Sequence, residues 1–206
     1  KHIHSKIGLA KAYSKIGNID MADKNFTAAI LQAPNNWNVV SEYGMFNYQN
    51  GRYKESLKQF EKLTDMSPNN HYGYSLLATA YYSNSDIENA IKYTKKSLQI
   101  YPNDQSFSNL GTMFFSIKKY QESVDSFKKA IDLNDSQYYY WGNLADAYKF
   151  TNNQKSVASY NKAVLGARKI LDINPNNITA KSDIAYYYAN LNYTKEALKY
   201  AEQIGI

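Results

Sequence analysis

Cysteine is missing from all 206 residues. That excludes disulfides, thiolate metal sites and cysteine nucleophiles, and it is compatible with either cytoplasm or periplasm. Histidine is nearly as scarce, with His2, His4 and His71 the whole supply. His2 and His4 lack a third ligand, so no metal site is expected. Four prolines and nine glycines are too few for an all-β architecture full of turns. No apolar run approaches the roughly 18 residues that a membrane span needs, and no charged-then-apolar leader opens the segment. The segment itself is therefore expected to be soluble. Glycine-rich phosphate loops, a nucleophile elbow and a His-Glu-x-x-His pattern are all absent. Carboxylates are scattered over expected outer helix faces instead of being paired for acid–base work. Neither enzymatic activity nor a cofactor is expected. The net charge is +6, yet no continuous basic stripe emerges, which argues against nucleic acid as a partner.

What the chain does have is a period. Pro34, Pro68 and Pro102 fall 34 residues apart, the first two followed by Asn-Asn and the third by Asn103-Asp104. Pro175 repeats the phrase with Asn176-Asn177. Such a period marks a two-helix unit that stacks on copies of itself. Proline suits the junction because it cannot continue the preceding helix and has the φ to enter the next. Aligned on these turns, the chain reads as six units, at approximately 3–36, 37–70, 71–103, 104–137, 138–177 and 178–206. The first helix of each carries a large-then-small pair and, in most, an aromatic three residues on. These are Leu9-Ala10…Tyr13, Leu77-Ala78…Tyr81, Leu110-Gly111…Phe114, Leu144-Ala145…Tyr148 and Ile184-Ala185…Tyr188. The second unit has Tyr43-Gly44 but departs with Asn47. The second helices show Ala22…Phe26…Ala29, Ser56…Phe60 and Ser123…Phe127…Ala130. Small residues at these places let helices approach closely, and large ones fill the gaps.

This pattern resembles the tetratricopeptide repeat family over essentially the whole length. The resemblance implies an all-α fold, a right-handed superhelical solenoid of about six antiparallel helix-turn-helix units in one array, 1–206. Two irregularities stand out. The third unit is one residue short before Asp104. The fifth is long, with Tyr148 to Pro175 six residues more than the 21 from Tyr13 to Pro34. The excess falls in 155–173, where Val157, Tyr160, Val164, Ala167 and Leu171 keep helical spacing, so a second helix extended by nearly two turns is expected. It serves either as a projecting docking ridge or as a cover for apolar surface. The segment opens inside a first helix and stops inside a second one, Thr194–Gly205, without a polar cap. It is expected to be a fragment of a longer protein.

The family likeness also implies a concave groove lined by first helices, at roughly positions 2, 5, 6, 9, 12 and 13 of each. Some members use Lys and Asn at 5 and 9 to clamp a chaperone's terminal carboxylate. Here those pairs read Ile7/Lys11, Ser41/Met45, Ser75/Thr79, Ser108/Thr112, Gly142/Asp146 and Ser182/Tyr186, so the clamp is absent. In its place stand Tyr72 and Tyr139 at position 2, Tyr48, Tyr82 and Phe115 at 12, Phe150 at 13 and Tyr186 at 9. Asn109 and Asn143 occupy position 6, where an asparagine can bridge a peptide's N–H and C=O. Tyrosine offers large contact area at low entropic cost. A nearly neutral, tyrosine-lined groove suits an extended peptide or a partner helix, so the expected function is a protein-interaction scaffold.

Two other readings stay open. Ser108-Asn109-Leu110-Gly111-Thr112, the phrase from Trp141 to Tyr148, and Ile173-Asn174-Pro175 are similar to repeat tails of bacterial winged-helix transcriptional regulators and Ser/Thr protein kinases. That likeness implies a sensory or regulatory tail. Alternatively the Thr194–Ile206 end or the long helix mediates self-assembly into homo-oligomers.

Overall fold

The computed structural model describes residues 3–205, so His2 lies outside the described residues. Among them twelve α-helices occur and no strand. The chain divides into two compact units, Lys1–Tyr101 and Pro102–Ile206. The first unit holds α1 (Ile3–Lys15), α2 (Ile19–Gln32), α3 (Trp37–Gln49), α4 (Tyr53–Met66), α5 (His71–Ser83) and α6 (Ile87–Ile100). The second holds α7 (Asp104–Ser116), α8 (Tyr120–Leu133), α9 (Tyr138–Tyr148), α10 (Asn153–Ile173), α11 (Ile178–Asn190) and α12 (Thr194–Glu202). Within each unit, helices pair in chain order and each pair packs on the next. No helix among the described residues is long and apolar enough to cross a membrane.

The turn phrase has a direct structural reason. The asparagine that closes it is the N-cap of the following first helix. Asn36 accepts from the Val39 N–H at 3.2 Å, Asn103 from Ser106 at 2.8 Å and Asn177 from Ala180 at 2.9 Å. Asn70 does the same for Tyr72 at 3.0 Å. Each satisfies one of the four orphan donors that open a helix. The fifth first helix lacks the phrase, and its cap residue Gln137 makes no side-chain bond.

Inside the units a second turn recurs. One residue of left-handed φ separates the two helices at Gly17, Gly51, Ser85, Lys118 and Asn192. After it the backbone N–H reaches five residues back, as Arg52 does to the Asn47 carbonyl and Lys119 to the Phe114 carbonyl, both at 2.9 Å. This closes the helix ends in the Schellman manner. The fifth repeat departs: no residue of its turn has a left-handed φ, and its N-cap Asn152 is extended, with φ of −159°. There α9 stops after 11 residues, and α10 runs for 21 where α2, α4, α6 and α8 each run for 14. The expected lengthening is therefore present. Its end packs: Ala167 is buried, Leu171 lies against the α10–α11 cluster, and the Arg168 guanidinium donates to the Tyr188 hydroxyl at 2.6 Å. Val157, expected on the apolar face, is 45% exposed.

The cores follow the small-and-large pattern. Phe26, Phe60, Phe127 and Tyr160 are fully buried. An added Cβ at Gly111 would stand 2.7–2.9 Å from the Phe127 ring, so only glycine permits that approach. Gly44 stands in the same relation to Phe60. Leu9 breaks the pattern. It heads the first pair's large-then-small step yet is 51% exposed, whereas Leu77, Leu110, Leu144 and Ile184 are buried. Leu77, Leu144 and Ile184 belong to core clusters, and Leu9 joins none among the described residues.

Candidate functional site

In the first unit, α1, α3 and α5 enclose a hollow of about 430 Å³. Its lining includes Lys11, Lys15, Glu42, Met45, Gln49 and Tyr72. These residues come from first helices at the positions that a groove reading marks. The Lys11 ammonium meets the Glu42 carboxylate at 2.7 Å, so the hollow is charged where the sequence suggested near neutrality. Tyr72 is 47% exposed, with its ring centroid 6.0 Å from that of Trp37. It presents a half-free face at the rim. Tyr48 is spent differently. Its hydroxyl bonds to Ser83 at 3.0 Å and its ring lies 5.7 Å from Tyr53, the first residue of its own second helix. Tyr82 is 36% exposed at the end of α5 and does not line this hollow.

The second unit has a smaller hollow, about 190 Å³, between α7 and α9. Two expected groove residues meet there, Phe115 and Asn143, with Thr112, Phe127 and Asp146. Asn109, one turn away, is exposed and accepts from the Gln105 amide at 2.9 Å. Phe150 does not belong to a helix face at all. It falls in the turn after the short α9, where it stacks on Tyr120 with centroids 4.1 Å apart. Phe115 joins that stack edge-on at 5.6 Å from Tyr120. Tyr139 is partly buried against the Val124–Phe127 cluster, 4.7 Å from Tyr140.

Several tyrosine hydroxyls have carboxylate acceptors that could not be paired from sequence. Asp146 receives both Tyr160 and Tyr186, the latter at 2.7 Å. Tyr138 donates to Asp183 at 2.7 Å, and Tyr140 to Asp104 at 3.1 Å. Those aspartates thus serve the interior edges of the packing. Burial and then the neighbouring carboxylate push these phenols upward, Tyr186 to about 12 and Tyr138 and Tyr160 further. They remain neutral hydrogen-bond donors at any physiological pH. Among the described residues no group of three or more His, Asp or Glu is placed to hold a metal ion.

Sequence reasoning missed a further feature of the second unit. On the side formed by α8 and α10, two hollows of about 240 and 370 Å³ flank Trp141. The signal was present in the heptad spacing of Lys155, Lys162 and Lys169 along the lengthened helix.

Comparison with known proteins agrees with this architecture. The family model described as tetratricopeptide repeat matches residues 7–71, and that of anaphase-promoting complex, cyclosome, subunit 3 matches residues 49–130. A TPR repeat-containing protein of Methanocaldococcus jannaschii is 23% identical over 234 aligned positions, covering 99% of this chain and 40% of its own length. A tetratricopeptide repeat protein from Parabacteroides merdae superimposes with a TM-score of 0.72 at 15% identity, over 98% of this chain and 78% of that one. YrrB, described as a TPR protein with an unusual peptide-binding site, superimposes with a TM-score of 0.59 at 14% identity, over 87% and 90%. The chain spans between 12% and 40% of the length of the first curated relatives it matches.

Proposed function

Because the chain is a tetratricopeptide repeat protein, we propose that it is an interaction module whose first-helix face takes a peptide segment or helix of a partner protein. Proteins of this family are protein-interaction scaffolds, and the YrrB neighbour carries a peptide-binding site by its own description. The observation that carries the reading is the hollow of about 430 Å³ between α1, α3 and α5. It combines an aromatic rim at Tyr72, an adaptable thioether at Met45 and charged groups of both signs at Lys11 and Glu42. That mixture suits a peptide with one bulky side chain for the hollow and polar groups for the rim.

Tyr72, Tyr82, Asn109, Phe150 and Tyr186 are the groove candidates with exposed side chains. Tyr48, Phe115, Tyr139, Phe150 and Tyr186 also serve the scaffold through the rings and hydroxyls described above. Asn143 borders the smaller hollow of the second unit and offers its amide to a peptide backbone there.

The test is to pan the immobilised chain against a random peptide phage library. An enriched peptide is then titrated against Tyr72→Ala and Met45→Ala by isothermal calorimetry. Each change should weaken binding by roughly tenfold or more, since anchoring side chains contribute about 1–2 kcal/mol each. Unchanged affinity in both variants, with intact helicity, would remove the hollow from the site.

A further inference from the structure

The lengthened α10 builds a second surface, together with α8 and α9 of the second unit. Along α10 the residues Lys155, Ala158, Lys162, Leu165 and Lys169 alternate at spacings of three and four, so they form one stripe on the helix. From Lys155 to Lys169 that stripe runs about 21 Å at 1.5 Å per residue. The three lysines are exposed and Leu165 is 61% exposed. Across from them, α8 contributes Lys128 and Asp132, and α9 supplies the floor with Trp141 and Leu144.

Trp141 divides the floor into the two hollows, and Lys162 borders both. The Lys162 ammonium lies 3.9 Å from the centroid of the indole ring, and the indole N–H donates to the Asp135 carbonyl at 3.3 Å. The ring is thereby held in place with a cation above it. The larger hollow exists because α10 runs past the start of α9. Gly166 comes so close to Tyr138 that an added Cβ would collide with it, and Leu165, Lys169 and Ile170 then wall the space beside the Asp135–Ser136 turn.

The charge of this surface is one-sided. Lys128, Lys155, Lys162 and Lys169 face Asp132 and Asp135, and none of the four lysines is in an ion pair among the described residues. Lys162 and Lys155 lie over the Trp141 and Tyr148 rings, but four cations without a carboxylate partner around apolar hollows call for an anionic partner that also brings bulky apolar side chains. We propose that this face of the second unit docks an acidic polypeptide segment, its carboxylates along the lysine stripe and its apolar side chains in the hollows flanking Trp141. A nucleic acid would gain from the lysines, but the Trp141 face on which a base would stack is already covered by the Lys162 ammonium. The site is independent of the Tyr72 hollow, which belongs to the first unit.

Trp141 reports on its own site. In the full chain with Trp37→Phe it is the only indole, since the chain has two tryptophans. The probe is a synthetic peptide of glutamate with leucine at every third and fourth position, about 15 residues long so as to span the stripe. Three comparison probes accompany it: the same peptide with lysine for glutamate, the same with serine for leucine, and a single-stranded oligonucleotide of equal charge. The expected result is a saturable change in Trp141 emission with the Glu/Leu peptide. Lys162→Glu with Lys169→Glu should weaken it by roughly tenfold or more, with the circular dichroism unchanged because both side chains are exposed. Tyr72→Ala should leave it intact. The proposal is overturned if the charge-reversed chain binds as well as its parent. It is equally overturned if the Glu/Ser peptide or the oligonucleotide binds as tightly as the Glu/Leu peptide, or if no saturable change occurs.

Discussion

The fourth and fifth repeats both lie in the second unit, and they join their helices by different turns around the same seam. In the fourth, Lys118 takes a left-handed φ of 61° and α7 and α8 have 13 and 14 residues. In the fifth no left-handed residue occurs, α9 is cut to 11 residues and α10 begins one residue early. Yet the contacts coincide. The Ser123 hydroxyl donates to the Gly111 carbonyl at 2.8 Å, and that of Ser156 to the Ala145 carbonyl at 2.9 Å. Phe127 and Tyr160 fill the same place, followed three residues on by Ala130 and Ala163, all fully buried. The seam sets the register of a helix pair, and the turn adapts to it. This is the order expected when burial of a large ring outweighs the strain of a single backbone conformation.

Removing the ring tests the equivalence most severely. Phe127→Ala and Tyr160→Ala should each cost about 3–5 kcal/mol, read from denaturant unfolding of the full chain. If one cost less than half of the other, the two seams would not be equivalent.

A milder change separates what the rings do not share. Tyr160→Phe keeps the ring but leaves Asp146 with Tyr186 alone, at an expected cost of about 1–2 kcal/mol. The pH dependence carries the same information. Burial, and then hydrogen bonds to carboxylates (for Tyr140 to Tyr139 before Asp104), raise the folded pKa of Tyr138, Tyr140 and Tyr160 above the ordinary value near 10. A group raised on folding contributes fully below its unfolded pKa and loses that contribution as pH climbs through the folded one. The second unit should therefore weaken above pH ~10, and Tyr160→Phe should make that decline shallower. A thermal-melt series in pH that showed no such flattening would detach the hydroxyl from the stability of the seam.

The smallest effects lie in the turns. Lys118→Gly relieves a side chain held at positive φ and should raise stability by about 1 kcal/mol. Asn152→Gly, at the N-cap that ends the fifth repeat's turn, should lose a few tenths of a kcal/mol instead, because that residue is extended and caps α10 through the Lys155 N–H at 3.0 Å. Equal responses in a chemical melt would mean that the two turns differ less than their dihedrals indicate.

Much of this fold was legible residue by residue. Pro34, Pro68 and Pro102 set the period, the adjacent asparagines are the caps, and Gly111 stands where a ring presses on the backbone. The candidate site was legible only in part. Phe150 was placed on a first helix by counting from Tyr138, but α9 ends early and leaves it in a turn. Tyr48 and Tyr139 sit at groove positions by the same count, yet their rings pack against neighbouring aromatics. Counting positions assumes a helix of constant length. It cannot weigh how many partners compete for one aromatic face.

By itself, then, the sequence determined the helix pairs, their period, the small residues at the seams and the extra length near the fifth turn. All of these depend on contacts between residues near in the chain, where spacing alone decides who meets whom. Tertiary structure decided which tyrosines are spent on the scaffold. It gave Asp146 two phenols from residues 160 and 186, and it set Trp141 between two hollows under Lys162. Those outcomes depend on how closely separate helices approach, and that distance follows from the packing of the whole seam.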